Sequence, residues 1–453
     1  MNTFIRIMGV AGLVCLLLVS SVFGTSNKSS SPTSIGTPTN TVLIATDGVT
    51  PRAKAPLVQI GLMEGQVSVP LYGDTGLTVY RAIGTKWKSF TNKDVLHITY
   101  KDNSVYINNQ KADTAVSIFP SNPSAGVKVY NGYYRGWLQI MGSPRQAGFT
   151  VVNLVPVDDY LYGVVGKEMS PSWNEEALKA QAVAARTYAI NHKGYFAARG
   201  FDMTDDTNSQ VYGGISAESA IVTKVVDSTR GEIITYGGKP IDAFFSATAG
   251  GYTENSEDVW GTKIPYLRGV TDASDRMPSY SWQVKTTWQQ VEKNLTAAGK
   301  GVGTLRSVRL SPLNKRPMAV TDRGVSGRVR YIQFEGTKGM VQVSGNDFQR
   351  IFGLRSTLFD FYDNANIPQN IDKIVNKRTD VIKVNNAVTV AAKGGRSGKT
   401  ILAQPPAIYI GGYGWGHGLG MSQWGAQQMS MDNKNYKDIL LHYYTGTKIE
   451  KIY

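Results

Sequence analysis

Short hydrophobic runs separated by Gly, Asn or Pro follow one another from about residue 56 onward, and they predict β-strands. Most runs are rich in β-branched or aromatic residues, which favour a pleated, half-buried surface. The predicted strands are 57–62, 66–71, 77–81, 95–100, 127–129, 138–141 and 149–155. Residues 56–153 are therefore expected to form a β-rich part.

A helical pattern replaces these strands after residue 155. Ser172 is followed three residues later by Glu175, which is the spacing of a capping box, and an alanine-rich run comes next. We predict a long helix from about residue 171 to 192, beginning just after Glu168. Lys179 and Arg186 are seven residues apart, so they should project from one face of this helix.

Further along the chain, helices and strands alternate without regular βαβ repetition. Helices are predicted at 217–229, 288–298 and 346–352, and strands at 232–236, 241–246, 328–334 and 340–343. This pattern predicts a mixed α+β fold with a β-rich N-terminal part and a long alanine-rich helix beside an active-site cleft. We expect one region, 56–453, with 283–400 as an inserted α+β unit.

Glycine occupies every other position from Gly412 to Gly420. If the segment is extended, one side is bare and the other carries Tyr413, Trp415, His417, Leu419 and Met421, because side chains alternate along a strand. A bare backbone beside aromatic rings favours a groove wall for a ring-shaped ligand such as a sugar. The alternatives are a flexible glycine loop, or a strand whose glycines accommodate a neighbouring element.

The N-terminal residues indicate export. Residues 7–23 are almost wholly apolar and end near Gly24, which predicts a secretory signal (1–24) or, if uncleaved, a membrane anchor. Residues 25–55 are rich in Ser, Thr, Pro and Gly and are expected to form a disordered tether. The only cysteine, Cys15, lies in the apolar segment, so the mature protein has no disulfides, cysteine nucleophile or thiolate metal ligands.

A formal net charge of +14 favours an anionic neighbourhood, and for an exported protein the anionic polymers of a cell wall fit best. The basic residues are scattered and no nucleic-acid-binding motif is present, so we predict no nucleic-acid partner. GGRSGKT at 394–400 has Lys393 where a phosphate-binding loop needs glycine, and no histidine pair has metal-binding spacing. No cofactor or metal is therefore predicted.

Two interpretations of residues 155–189 remain open at this point. In the first, Glu168 is a site carboxylate that meets the cations of the long helix. In the second, Lys179 and Arg186 lie on a solvated face and pair with Glu175 and Glu176. Asp158 and Asp159 are interpreted as turn or cap residues, since a two-carboxylate glycosidase would need the chain to turn back before Glu168.

Four separated motifs then resemble one family. Residues 155–189, FFSATAGGYTENSEDVWG at 244–261, GNDFQRIFGLRSTLF at 345–359 and GHGLGMSQWGA at 416–426 resemble the stage II sporulation protein D family, which includes amidase-enhancer proteins of bacterial cell walls. The resemblance implies peptidoglycan remodelling outside the membrane. It also implies lytic transglycosylase cleavage of peptide-free glycan strands, giving 1,6-anhydro-muramic ends, with Glu168 as the acid/base.

The resemblance further implies which residues line the cleft: Lys179, Arg186, Gln210, Tyr212, Ser246, His417 and Gln423, with Tyr252 and Trp415 as sugar-stacking surfaces. An acid must hold a proton, which nearby cations oppose, so we expect Lys179 and Arg186 to contact substrate or backbone rather than Glu168. Some relatives carry a His/Cys zinc segment before Gln-Val-Tyr, but this chain has none of those thiols at 206–212.

A second function, from a different class, is a non-catalytic amidase modifier that binds the wall and stimulates a partner hydrolase. Both hypotheses predict a secreted or extracytoplasmic protein associated with the wall. They also share the same partners: glycan strands, a cell-wall amidase and anionic wall polymers. Contact with the membrane is expected only through an uncleaved N-terminal anchor.

Overall fold

The computed structural model describes residues 55–453 except 131, 277–279, 364, 369–370, 372–376 and 385–406. The predicted signal or anchor, all but the last residue of the tether, and the 394–400 segment lie outside the described residues. No helix in the described part has the length and apolar character needed to cross a membrane. The chain divides into a first unit that runs to Asp242 and takes in Ile449–Tyr453, and a second unit, Ala243–Lys448.

The first unit is built mainly from strands. Its strands in chain order are β1 Leu57–Gln66, β2 Ser68–Tyr72, β3 Leu77–Arg81, β4 Lys86–Phe90, β5 Leu96–Lys101, β6 Ser104–Ile107, β7 Gln110–Asp113, β8 Ala115–Pro120, β9 Val127–Val129, β10 Gly132–Tyr134, β11 Trp137–Gly142, β12 Phe149–Pro156, β13 Met203–Thr204, β14 Glu232–Tyr236 and β15 Lys239–Pro240. Its helices are α1 Val157–Glu168, α2 Glu175–Asn191 and α3 Ala220–Ser228.

Two large sheets contain these strands except β14 and β15, which pair with each other in a smaller sheet. One has seven strands in the order β13-β1-β12-β11-β8-β3-β4, and the other has six in the order β10-β9-β2-β5-β6-β7. Each predicted strand from 57–62 to 149–155 is found, as β1, β2, β3, β5, β9, β11 and β12. The β-rich character of this part and the α+β fold class are confirmed.

Helix α1 was not predicted, and the interpretation of Asp158 and Asp159 as turn or cap residues ahead of Tyr160 is wrong. Both aspartates lie in the first turn of α1. Most of the helix is buried around its whole circumference, so it shows no polar face. The largely apolar run 160–165 has no helical alternation of polar and apolar residues, so the sequence pattern alone does not identify it as a helix.

The start of the long helix also differs from the prediction. Helix α2 begins at Glu175, and the side chain of Asn174 caps it by accepting a hydrogen bond from the Glu176 N–H at 3.0 Å. The capping box assigned to Ser172 is therefore wrong, because its hydroxyl hydrogen-bonds to Ser170 instead. Glu168 ends α1 and is separated from α2 by six residues.

The second unit combines smaller sheets with helices. Its strands are β16 Phe245–Ser246, β17 Ser281–Thr286, β18 Leu305–Arg309, β19 Tyr331–Gly336, β20 Gly339–Ser344, β21 Phe359–Tyr362, β22 Val381–Lys383, β23 Ile408–Tyr413 and β24 Met421–Ser422. Its helices are α4 Ser256–Trp260, α5 Trp288–Ala297, α6 Gly345–Phe352, α7 Gln423–Met431 and α8 Tyr436–Tyr443. The last strand, β25 Lys448–Lys451, joins β14 in a sheet of the first unit.

The described residues of the second unit form three sheets: β17-β23-β21, β20-β19-β18-β22 and the parallel pair β16-β24. Aromatic rings centred on Phe348 fill the core between α5, α6 and these strands, with Phe348 and Phe359 stacked at 5.3 Å. The predicted helices 288–298 and 346–352 are confirmed as α5 and α6. The strand expected at 241–246 is reduced to β16. The boundaries 56–153 and 283–400 stay predictions, each lying within one unit.

Candidate functional site

Glu168 is the last residue of α1 and is half-buried. The chain turns extended at Met169, whose N–H still bonds to the Val165 carbonyl and fixes the end of the helix. One carboxylate oxygen of Glu168, Oε1, accepts a hydrogen bond from the backbone N–H of Val211 at 3.0 Å. The carboxylate is thus held by a main-chain donor from a distant segment while part of the side chain stays accessible.

The segment that supplies this donor is tied down on both sides of Val211. Gln210 donates through Nε2 to the Ala185 carbonyl at 3.3 Å and accepts from the Tyr160 hydroxyl at 3.2 Å. On the other side, the Tyr212 hydroxyl donates to Asn153 at 3.0 Å. Both Gln210 and Tyr212 are buried, and their hydrogen bonds fix the backbone on either side of Val211.

Two buried phenols lie near the Glu168 carboxylate. Burial is the main cause that raises the pKa of Tyr160 and of Tyr188, and the negative charge of Glu168 adds to both increases. These hydroxyls consequently stay protonated at neutral pH, and that of Tyr160 donates to Gln210 at 3.2 Å.

Asp205 is a second carboxyl in this region that sequence reasoning did not single out. Burial, opposed by a backbone hydrogen bond, raises its pKa to about 6, and its charge contributes to the raised pKa of Tyr160. The sequence signal was the Asp205-Asp206 pair just before Gln210, which looked like an ordinary polar loop.

Hydrogen bonds from side-chain and backbone donors to side-chain acceptors connect residues 204–209 with one another. The Thr204 hydroxyl donates to Asp206 at 2.7 Å, the Asn208 N–H donates to the same carboxylate at 2.9 Å, and the Thr204 N–H donates to Ser209 at 3.1 Å. Among the residues that the structure describes, no group of three or more His, Cys, Asp or Glu side chains is placed to hold a metal ion.

Arg186 is fully buried, so the structure does not support the prediction that its side chain lines a substrate cleft. Its Nε donates to Asp158 at 2.9 Å, and its Nη atoms donate to the Glu232 carbonyl at 3.2 Å and the Val226 carbonyl at 3.1 Å. The side chain binds α1, α3 and the start of β14 to α2. The expectation that it contacts buried backbone rather than Glu168 agrees with this placement.

Lys179 lies one turn from the start of α2 and pairs with the acids of that turn. Its Nζ is 2.8 Å from Glu176 and 3.1 Å from Glu175. This is the arrangement of the second interpretation, in which the lysine belongs to a surface ion-pair cluster. The two cations of α2 therefore differ in role, although they are seven residues apart.

In the second unit, the glycine-rich segment is not an extended strand. Strand β23 ends at Tyr413, and Gly414, Gly416, Gly418 and Gly420 all have positive φ angles, between 66° and 102°. A side chain at these positions would be strained, and a Cβ at Gly416 would lie 2.7 Å from the Cβ of Ser246. The predicted bare face is wrong, because the glycines permit alternating left-handed turns and close backbone packing.

His417 lies between two of these glycines and is a neutral imidazole. Its Nδ1 accepts from the Leu419 N–H at 3.0 Å, and the ring is packed against Phe244 and Trp260. Burial first, and then the charge of Arg328, lower the pKa of His417 to about 4. The residue keeps part of its surface exposed, so it lies at the edge of the packed aromatic cluster.

A buried acid and a buried base hold the backbone around His417. Arg328 donates to the Gly416 carbonyl at 3.0 Å and to the Ala249 carbonyl at 3.1 Å. The N–H of Glu254 donates to the Gly418 carbonyl at 2.8 Å. Burial raises the pKa of Glu254 to about 7, and burial lowers that of Arg328 to about 10. Sequence reasoning missed both residues, because nothing in their spacing distinguishes a buried ion from a surface one.

Several of the other predicted site residues lie in or near the glycine-rich segment that contains His417. Trp415 forms a bridge with Thr248 and carries the Arg355 guanidinium 4.8 Å above its ring. Ser246 packs against Gly416, and its hydroxyl is buried. Gln423, the first residue of α7, is also buried. Tyr252 instead bridges to Thr271 and is half-buried.

Replacing His417 with Gln is expected to reduce the loss of unfolding free energy that the protein shows as pH falls from 6.5 toward 4. The unfolded histidine gains its proton near pH 6.5 and the folded one only near pH 4, so its contribution to stability is present above 6.5 and lost as pH falls toward 4. We expect this loss to be about 2–3 kcal/mol in the wild type and absent in the variant. Denaturant unfolding above pH 6.5 and near pH 4.5 measures it.

The raised pKa of Glu254 changes the free energy of unfolding with pH in the direction opposite to that of His417. Its contribution is present below pH 4.5 and is lost as pH rises to about 7, but it is common to both proteins and cancels in their difference. An identical pH dependence in wild type and His417→Gln would show that the imidazole is not kept neutral by its surroundings.

One comparison matches part of the first unit to a known family. A family model described as Stage II sporulation protein matches residues 145–236, which include Glu168 and Tyr212. Stage II sporulation protein D of Bacillus subtilis is 30% identical over 331 residues, covering 68% of this chain and 78% of that protein.

Two further relatives extend the comparison. An uncharacterized protein of Brachyspira hyodysenteriae is 32% identical over 311 residues, covering 68% of this chain and 71% of the relative. The amidase enhancer of Bacillus subtilis is 32% identical over 301 residues, covering 64% of this chain but only 40% of the relative. With this identity over most of its length to a sporulation protein D, the chain belongs to the stage II sporulation protein D family.

Proposed function

We propose that this protein remodels the bacterial cell wall as a lytic transglycosylase that cleaves peptide-free glycan strands, with Glu168 as its acid/base. Family membership supports the general role in wall remodelling. The observation that carries the specific proposal is the half-buried Glu168 carboxylate, which the Val211 N–H fixes at 3.0 Å. A rigid, partly accessible carboxyl is what general acid catalysis requires.

The proposed reaction needs only one carboxyl group and no water. The protonated Glu168 gives its proton to the glycosidic oxygen between muramic acid and glucosamine, and the bond from that oxygen to C1 breaks. The C6 hydroxyl oxygen of the same muramic acid bonds to C1, and its proton passes to the Glu168 carboxylate. The products are a 1,6-anhydro-muramic end and a free hydroxyl on the glucosamine, and the acid is regenerated.

The remaining partner assignments follow from the same role. The proposed substrate is peptidoglycan glycan outside the membrane, and the net charge of +14 supports attraction to anionic wall polymers. Lys179 and Arg186 contribute in different ways, the first on the surface and the second by holding α1 in place.

A second candidate function is that of a non-catalytic amidase modifier. It is favoured by the 32% identity to a protein named amidase enhancer. In this alternative the chain binds wall polymer and raises the activity of a partner amidase, and Glu168 takes no part in bond cleavage.

Product analysis distinguishes the two functions. The purified protein is incubated with glycan strands stripped of peptides, and the fragments are examined by mass spectrometry. New fragments with anhydro-muramic ends support the transglycosylase. If the protein cleaves no glycan but speeds peptide release by a cell-wall amidase, the transglycosylase proposal is wrong and the amidase-modifier function is supported.

Replacing Gln210 with Ala tests the positioning of Val211. The variant loses the bonds to Ala185 and Tyr160, so the Val211 N–H should no longer be held at the carboxylate. We expect kcat to fall about 10- to 100-fold with KM changed less than about threefold, because a small misplacement of a catalytic group is costly. Asn208→Ala, an exposed change in the same loop, is the control and should retain activity. A loss confined to KM would instead indicate that Gln210 contacts substrate.

A further inference from the structure

Trp260 is the most exposed of the tryptophans among the described residues, with 38% of its surface accessible. It is the last residue of α4 and is followed by Gly261, which ends the helix with a φ of 80°. A Cβ built on Gly261 would meet nothing within 4 Å, so the space beside the backbone here is open. A large apolar ring therefore faces solvent at an uncrowded surface.

This exposed ring is held in one orientation. Trp260 packs edge-on against Phe244 with centroids 4.6 Å apart, and against the His417 ring at 5.7 Å. In the same segment, the Ser256 hydroxyl accepts from the Ile264 N–H at 2.7 Å and donates to the Thr262 carbonyl at 2.9 Å. These bonds fix the backbone of the turn that follows α4, and the ring contacts limit the side chain, so less conformational freedom is lost when a ligand binds.

Both acids of α4 are already paired. Glu257 forms two hydrogen bonds with Arg268, and Asp258 lies 3.4 Å from Arg330. Lys263 adds a positive charge near Glu257, and His417 occupies its Nδ1 with a backbone donor. A broad aromatic face beside paired acids can stack on the apolar face of a pyranose ring.

We propose that Trp260, supported by Phe244 and His417, is a carbohydrate-binding platform on which a hexosamine ring of the glycan strand stacks. The choice of glycan as the ligand rests on the proposed function, whereas the platform itself does not require that Glu168 be catalytic. Trp260 thus adds an exposed stacking surface to the two predicted ones, Tyr252 and Trp415, which are only partly exposed.

The test measures binding without cleavage. The full chain carrying Glu168→Gln is titrated with peptide-free glycan strands, alone and combined with Trp260→Ala, Trp260→Tyr or the control Trp87→Ala. We expect Trp260→Ala to weaken binding about 5- to 10-fold, Trp260→Tyr by less than about threefold, and Trp87→Ala not at all, because stacking contacts of this kind contribute about 0.5–1.5 kcal/mol. Equal affinity in all four proteins would overturn the proposal.

A second measurement uses the unaltered ring, so it does not depend on how the alanine variant folds. The indole N–H resonance of Trp260, assigned by its absence in Trp260→Phe, should shift when glycan is added. An unmoved resonance, or an effect of Trp260→Ala on self-association without an effect on glycan affinity, would overturn the proposal. Wild type that binds through Trp260 but cleaves nothing would remove the transglycosylase function and leave the platform intact.

Discussion

Replacing Glu168 with Gln is expected to lower the rate of glycan cleavage by about 10²- to 10⁴-fold, the range that general acid–base catalysis contributes. The amide has the same shape and can still accept the hydrogen bond that the Val211 N–H makes at 3.0 Å. It cannot give or take a proton at the glycosidic oxygen. Rates of appearance of anhydro-muramic ends from peptide-free strands measure the difference.

Two controls make this result specific. Glycan affinity should change little in Glu168→Gln, since the side chain keeps its size and position. Glu175→Gln, which removes a carboxylate from the surface cluster around Lys179, should retain the wild-type rate. Equal cleavage by wild type and Glu168→Gln would exclude Glu168 as the acid/base.

The largest expected effect on stability comes from Arg186. Arg186→Met removes the guanidinium 2.9 Å from buried Asp158, which keeps the more distant Arg230 at 3.7 Å and the Tyr453 hydroxyl. Breaking a buried ion pair by removing one partner typically lowers the free energy of unfolding by about 3–5 kcal/mol, and we expect a loss of about 3 kcal/mol here. Three backbone or hydroxyl acceptors on α3 and β14 also lose their donor. Denaturant unfolding at neutral pH measures the change.

Lys179→Met is the matched control, because it removes the other cation of α2 from a position two turns earlier. Its ion pairs lie at the surface, so the expected loss is about 0.5 kcal/mol or less. Similar losses in the two variants would show that the buried network around Arg186 does not hold α1, α2 and α3 together.

The strands of the first unit were predictable because their signals are local. Segments such as β3 and β12 combine β-branched residues with flanking Gly or Pro, and both were found where the sequence placed them. Helix α1 was not predictable in this way, since it is buried on nearly every side and carries no amphipathic period. Its tertiary surroundings decide its conformation.

The candidate site shows the same division. Glu168 and the Gln210-Val211-Tyr212 segment could be named from the sequence, but the hydrogen bond that joins them spans 43 positions and depends on the fold. The seven-residue separation of Lys179 and Arg186 on α2 suggested that the two cations share one role. In the fold, Lys179 lies near the surface, whereas α1, α3 and β14 cover Arg186 and make it a core residue.

The glycine-rich segment illustrates a third limit. The alternation from Gly412 to Gly420 was visible, but an extended strand and a run of left-handed turns produce the same spacing. The positive φ angles of Gly414 and Gly416 select the turns, and the Thr248 carbonyl group and the Ser246 side chain occupy the space that side chains at these two positions would need.

The measurement that tests the central claim most directly is glycan cleavage in water labelled with heavy oxygen. If Glu168 is the lone acid/base and the sugar's own C6 hydroxyl is the nucleophile, the new muramic ends will be anhydro ends that contain no label, and Glu168→Gln will produce almost none of them. New reducing ends, in excess of those in an enzyme-free control, would contradict the account, because they would require an attacking water molecule. So would unlabelled anhydro ends formed equally fast by the Glu168→Gln variant.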